Sequence, residues 1–167
     1  MALDASALSE EMRVAMGFPS PVSTQLLGWS MGVVEEVLNG FATFGNVPSP
    51  HPISGVTGAG MASLIANYAG YGFVTPQLLN FCTAVADHIT GSGIVTYIGP
   101  PPAPPGLQPP DAWFLGGTIS GLSGASMAAD VAAAVGFPGG SPQLLSQCTV
   151  IANHIMANAQ VVSGVIS

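Results

Sequence analysis

Apolar residues fall at helical spacing in two stretches of the chain, and the two stretches match. In PQLLNFCTAVADHI, residues 76–89, the positions Leu78, Leu79, Cys82, Val85, Ala86 and Ile89 share one side of a helix. In PQLLSQCTVIANHI, residues 142–155, Leu144, Leu145, Cys148, Ile151, Ala152 and Ile155 repeat them. The spacing predicts an amphipathic helix of about four turns in each. Thr75-Pro76 and Ser141-Pro142 start these helices, with a hydroxyl N-cap followed by a proline at the first helical position, where a missing N–H costs nothing. Upstream, Met61, Leu64, Ile65 and Tyr68 predict a shorter helix, capped by Thr57 and stopped at Gly70. The unit is therefore a helical hairpin.

The likeness extends beyond these segments. Residues 53–95 align with residues 119–161 at a constant offset and share about 19 identities without a gap, the mark of a duplicated structural unit. A weaker copy opens the chain: Gly17-Phe18-Pro19 matches Gly136-Phe137-Pro138, and Gln25-Leu26-Leu27 matches Gln77-Leu78-Leu79. In that register Trp29, Ser30 and Glu36 stand where the second copy has Phe81, Cys82 and His88, and the Ser-Gly that leads into the later copies is missing.

The expected fold is mainly α, made of tandem helix-hairpin repeats in three copies, the first degenerate, with a Pro-rich extended linker and at most short strands. The expected organisation is a degenerate first repeat over residues 1–45, a linker over 46–52, a second repeat over 53–98, a Pro-rich strap over 99–111, and a third repeat with a C-terminal tail over 112–167. The prolines of GPPPAPPGLQPP hold that segment near polyproline II, as a spacer or strap rather than a docking ligand. Residues 93–98 are read as a short strand, and residues 161–166 as a tail reaching onto an adjacent subunit.

Charge narrows the classes of function. Arg13 is the only Lys or Arg among 167 residues, and the net charge is −7. Phosphate backbones are held by clusters of Lys and Arg, so nucleic acid is excluded as a partner, and an anionic membrane surface repels the chain. A surface this poor in charge points to burial against neighbouring subunits. The N-terminal stretch carries acids where an export signal needs bases, and the uncharged residues 112–129 are too rich in Gly, Ser and Thr for a good membrane span.

The duplicated Cys and His raise the question of a metal. Cys82 and His88 lie six apart, about 240° around a helix, so they face different directions, and the same holds for Cys148 and His154. The cysteines fall on the apolar stripe and read as reduced core thiols rather than as a disulfide. Each histidine falls in the last helical turn, where it can bond free carbonyls. Glu10-Glu11 and Glu35-Glu36 are adjacent pairs that diverge on a helix, and Gly58-Ala59-Gly60 lacks the lysine of a phosphate loop. No catalytic, cofactor-binding or metal-ligating residues are assigned. The candidate packing and interface residues are Trp29, Leu78, Leu79, Phe81, Cys82, Trp113, Leu144, Leu145 and Cys148.

The combined pattern SGxTGxxMAxxIA, a glycine-aromatic turn, then [ST]PQLLxxCTxxxxHI resembles repeat-containing structural proteins of tailed bacteriophages and phage-tail-like particles. The resemblance implies a non-enzymatic virion component, in a capsid decoration, neck, tail or baseplate, packing against copies of itself and other virion proteins. Such a protein would be made in the host cytoplasm and need no cofactor. A glycan- or peptide-binding module using Trp29, Tyr71, Phe81 and Trp113 is the alternative, and a small holin-like membrane-active protein ranks third.

Overall fold

Each helix starts on a side chain that supplies a hydrogen-bond partner the helix itself lacks. In the computed structural model, which describes residues 2–42, 51–97, 116–137, 139–162 and 164–167, the N-caps are Asp4, Ser23, Thr57, Thr75, Ser123 and Ser141. Each side chain accepts the backbone N–H three residues on. The helices are α1 (Ala5–Ala15), α2 (Thr24–Leu38), α3 (Gly58–Tyr68), α4 (Pro76–Ser92), α5 (Gly124–Val135) and α6 (Pro142–Asn158). The first helix of each hairpin ends alike. Gly17, Gly70 and Gly136 take φ between 72° and 77°, and the aromatic after each donates its N–H to a carbonyl five residues back, which closes the last turn.

The expectation of a mainly-α fold with at most short strands is overturned by a closed antiparallel barrel. Its strands are β1 (Phe41–Ala42), β2 (His51–Ser54), β3 (Ile94–Tyr97), β4 (Gly117–Ser120), β5 (Gln160–Val162) and β6 (Val165–Ile166). Each pairs with its sequence neighbours, and β6 returns to β1 through Phe41 and Val165. Strands of two to four residues are too short to display the alternation that reveals a strand, and their partners are set by the helices between them. Closure leaves no free edge.

One buried apolar side chain from each strand fills the barrel. Ala42 pairs with Ile53, Val95 with Ile119, and Val161 with Ile166. The three isoleucines are each 2% exposed, and each is followed by serine: Ile53-Ser54, Ile119-Ser120, Ile166-Ser167. The pattern is threefold. β2-α3-α4-β3 and β4-α5-α6-β5 are complete units, and the first unit is β6-α1-α2-β1, its leading strand drawn from the far end of the sequence. Residues 161–166, expected to reach a neighbouring subunit, therefore close their own chain's ring.

The helices form a second ring on the barrel. Each packs on its neighbours in sequence, and α6 packs on α1. Where α2 meets α3 the backbones nearly touch: a Cβ on Gly28 would lie 2.5 Å from backbone atoms of Tyr68 and Ala69, and one on Gly32 2.6 Å from Ile65 N. The matching place between α4 and α5 has Asn80 for Gly28, and its amide bridges the wider gap to Ala134 O at 3.2 Å. Gly28→Ala is accordingly expected to destabilise by about 1–3 kcal/mol through overpacking. Asn80→Ala is expected to lose only about 1 kcal/mol, both read from urea unfolding midpoints.

Candidate functional site

The barrel end of each second helix carries one polar residue that reaches into the next unit. Glu36, His88 and His154 occupy this equivalent place and all three are buried. His88 Nε2 accepts the N–H of Ser123, the N-cap of α5, at 3.3 Å, and Nδ1 lies 3.0 Å from Asp130 Oδ2. His154 repeats this on the first unit, with Nδ1 3.0 Å from Glu11 Oε2 and Nε2 3.5 Å from the N–H of Asp4, the N-cap of α1. Both patterns are satisfied by a ring with its proton on Nδ1.

Glu36 makes the same reach as a carboxylate. Its Oε1 accepts from Thr57 N at 2.7 Å and from the Thr57 hydroxyl at 2.9 Å, and Gly60 leaves the space that the carboxylate fills. No second carboxylate is needed there, and the position equivalent to Glu11 and Asp130 is Leu64. The three side chains are thus clasps, each satisfying the N–H of a helix N-cap in the following unit, a donor that the helix itself leaves without a partner. The expectation that the histidines bond the last carbonyls of their own helices is replaced by this contact. For α6 that role falls to Asn158, whose amide donates to His154 O at 3.0 Å.

The cysteines sit in the core beside these clasps. Cys82 and Cys148 are free and fully buried, and burial pushes both thiols up to about 12. Protonated thiols without solvent access are poor nucleophiles. In the unfolded chain they ionise near 9.0, so folding is favoured by the thiols below that pH and loses stability above it. Raising the pH from 9 toward 11 is expected to lower the unfolding free energy by up to about 1.4 kcal/mol per thiol per pH unit. Cys82→Ser/Cys148→Ser, in which neither residue can ionise, is expected to flatten this slope in urea titrations.

Two further acids, Glu10 and Glu35, are also drawn into the fold. Glu10 pairs with Arg13 at 2.5 Å, its hydrogen bond to the guanidinium holding its carboxyl below the usual range, and Arg13 also donates to Phe18 O. The Tyr68 hydroxyl donates to Glu35, which pushes the phenol up. Among the described residues no three His, Cys, Asp or Glu side chains are grouped to hold a metal ion.

At the end of the helices away from the barrel lies a cavity of about 800 Å³. Trp29, Leu78 and Phe81 from the first two units meet Val131, Val135, Phe137 and Leu144 from the third, with Gln77, Gln143 and Gln147 at hand. The Trp29 indole N–H donates to Tyr71 Oη at 2.9 Å, and its ring meets Phe81 edge to face at 5.1 Å. Phe81, named among the exposed aromatics of a binding module, is buried.

The other candidate packing residues divide. Leu78 is buried and Leu144 packs against the core, whereas Leu79 and Leu145 are exposed on their helices. Trp113 lies outside the described residues. Sequence reasoning missed the wall that the third unit contributes, Val131 and Val135 on α5 and Phe137 in the turn after it. Only Phe137 carried a signal, the glycine-aromatic turn that ends the first helix of every copy.

Among the described residues no helix is long and apolar enough to cross a membrane. No protein-family model, curated protein or solved structure matches the chain.

Proposed function

We propose that the protein is a non-enzymatic structural subunit that works by protein–protein packing, and that it is a component of a viral particle. The observation that carries the first part is the use made of its reactive side chains. His88, His154, Glu11, Glu36 and Asp130 are committed to clasps between units, and both thiols are sealed in the core. What the protein offers to its surroundings is mostly apolar or neutral. Phe18, Tyr71, Phe73 and Phe137 are exposed around the turn end, where among the described residues the Glu10–Arg13 pair flanks Phe18 and the segments 66–86 and 131–153 carry no charge. The second part rests on the repeat motif and its resemblance to phage structural proteins.

Particles purified by density gradient from cells producing the protein test this directly. A fixed, stoichiometric amount of the 167-residue chain is expected in the particle band by quantitative mass spectrometry. Recovery only in the soluble fraction, with particles assembling normally without it, would sink the proposal.

A further inference from the structure

We infer that the turn end of the second and third units is a self-complementary face on which a second copy of this chain docks, the Phe73 ring of each copy entering the cavity of the other. The inference rests on the packing reading above and names the face and the partner.

Knob and hole lie side by side. Phe73 is 74% exposed, more than any other large hydrophobic residue described, and it stands in the turn between Tyr71 and Thr75, both of which line the cavity. A projecting ring and an apolar cavity on one face are what a twofold pair requires, because each copy then contributes both halves of the contact. The cavity is within the size range that holds a bound group, and its wall of Trp29, Phe81, Phe137 and Leu144 suits an aromatic ring. Phe137, 66% exposed at its mouth, adds apolar surface that pairing would cover.

Charge selects the same face. A chain of net charge −7 repels its own copies wherever acids oppose acids. Residues 66–86 and 131–153, which build this end of the second and third units, contain no Asp, Glu, Lys, Arg or His. The turn of the first unit differs, since Glu10 and Arg13 flank Phe18 there. Two copies meeting through the uncharged turns keep their acids apart.

Light scattering coupled to size-exclusion chromatography, on the full chain from 1 to 200 µM, reads the outcome, with these concentrations chosen to span about two decades of affinity. The expected result is a concentration-dependent doubling of mass that Phe73→Glu abolishes and Phe18→Glu preserves. Both side chains are exposed, so thermal melts of the two variants should match the wild type at the lowest concentration, where pairing adds least to its stability. A doubled mass unaffected by Phe73→Glu would overturn the assignment of the face. A wild-type chain that stays single yet enters particles would overturn the pairing and leave the packing function standing. A single chain absent from particles would overturn both.

Discussion

Ile166→Asp is expected to be among the most damaging single substitutions in this protein, although it lies one residue from the last of the chain. Ile166 is 2% exposed inside the barrel, paired with Val161, and β6 packs against α2. A carboxylate there is buried among apolar side chains, and the chain's only Lys or Arg, Arg13, is held by Glu10 and Phe18 O. The expected loss is about 3–5 kcal/mol, enough to unfold a domain of ordinary stability. Val165→Asp places the same charge one residue earlier, where the side chain is 58% exposed, and is expected to lose less than about 1 kcal/mol. Urea unfolding of the two variants, followed by circular dichroism, makes the comparison. Equal effects would mean that β6 does not line a closed barrel.

The second large effect concerns the clasps, and its sign depends on context. Glu36→Ala removes the acceptor of the Thr57 N–H and hydroxyl at a part-buried junction and is expected to lose about 1–3 kcal/mol. Glu36→His copies the other two clasps only halfway. An imidazole at that place accepts the Thr57 N–H, but its Nδ1–H faces Leu64, where the other junctions supply Asp130 or Glu11. Glu36→His alone is therefore expected to destabilise, and adding Leu64→Asp is expected to restore about 1 kcal/mol or more. Leu64→Asp in the wild type sets a second carboxylate near Glu36 and should destabilise. A double-mutant cycle on unfolding free energies measures this coupling directly. Additive effects would show that the clasp and the facing residue do not act as a pair.

These two experiments also mark what was legible beforehand. The six helices were, because capping residues, Pro76 and Pro142, the glycine-aromatic turns and the apolar stripes are local signals that a duplicated sequence states more than once. The barrel was not. Its strands are as short as Phe41–Ala42, and one partner of that first strand lies at the other end of the chain. The recurring Ile-Ser at 53–54, 119–120 and 166–167 was the trace it left, but the third instance is displaced from the copy it serves, so a linear alignment of units loses it.

The candidate site was legible in pieces for the same reason. Glu36, His88 and His154 could be aligned from the repeat alone, but their partners belong to the following unit. Only the ring brings Glu11 to His154 across almost the whole sequence. With that contact known, the pairing of a histidine with an acid, and of a glutamate with Leu64, becomes a rule readable in the sequence. Trp29 and Phe81 were singled out for their chemistry, while Val131 and Val135, the part of the facing wall that α5 supplies, are ordinary valines that carry no signal of their own.

Ring closure is the claim on which the clasps, the cavity and the pairing face all depend. The Ala42 amide tests it best, since its N–H donates to Gly164 O at 2.9 Å, across the junction of the first strand and the end of the chain. Native-state hydrogen exchange by NMR is expected to find this amide protected to the same free energy as core amides of α4, opening only with global unfolding. Exchange of Ala42 near the rate of an unstructured peptide, with α4 still protected, would show that the ring is open and contradict the account.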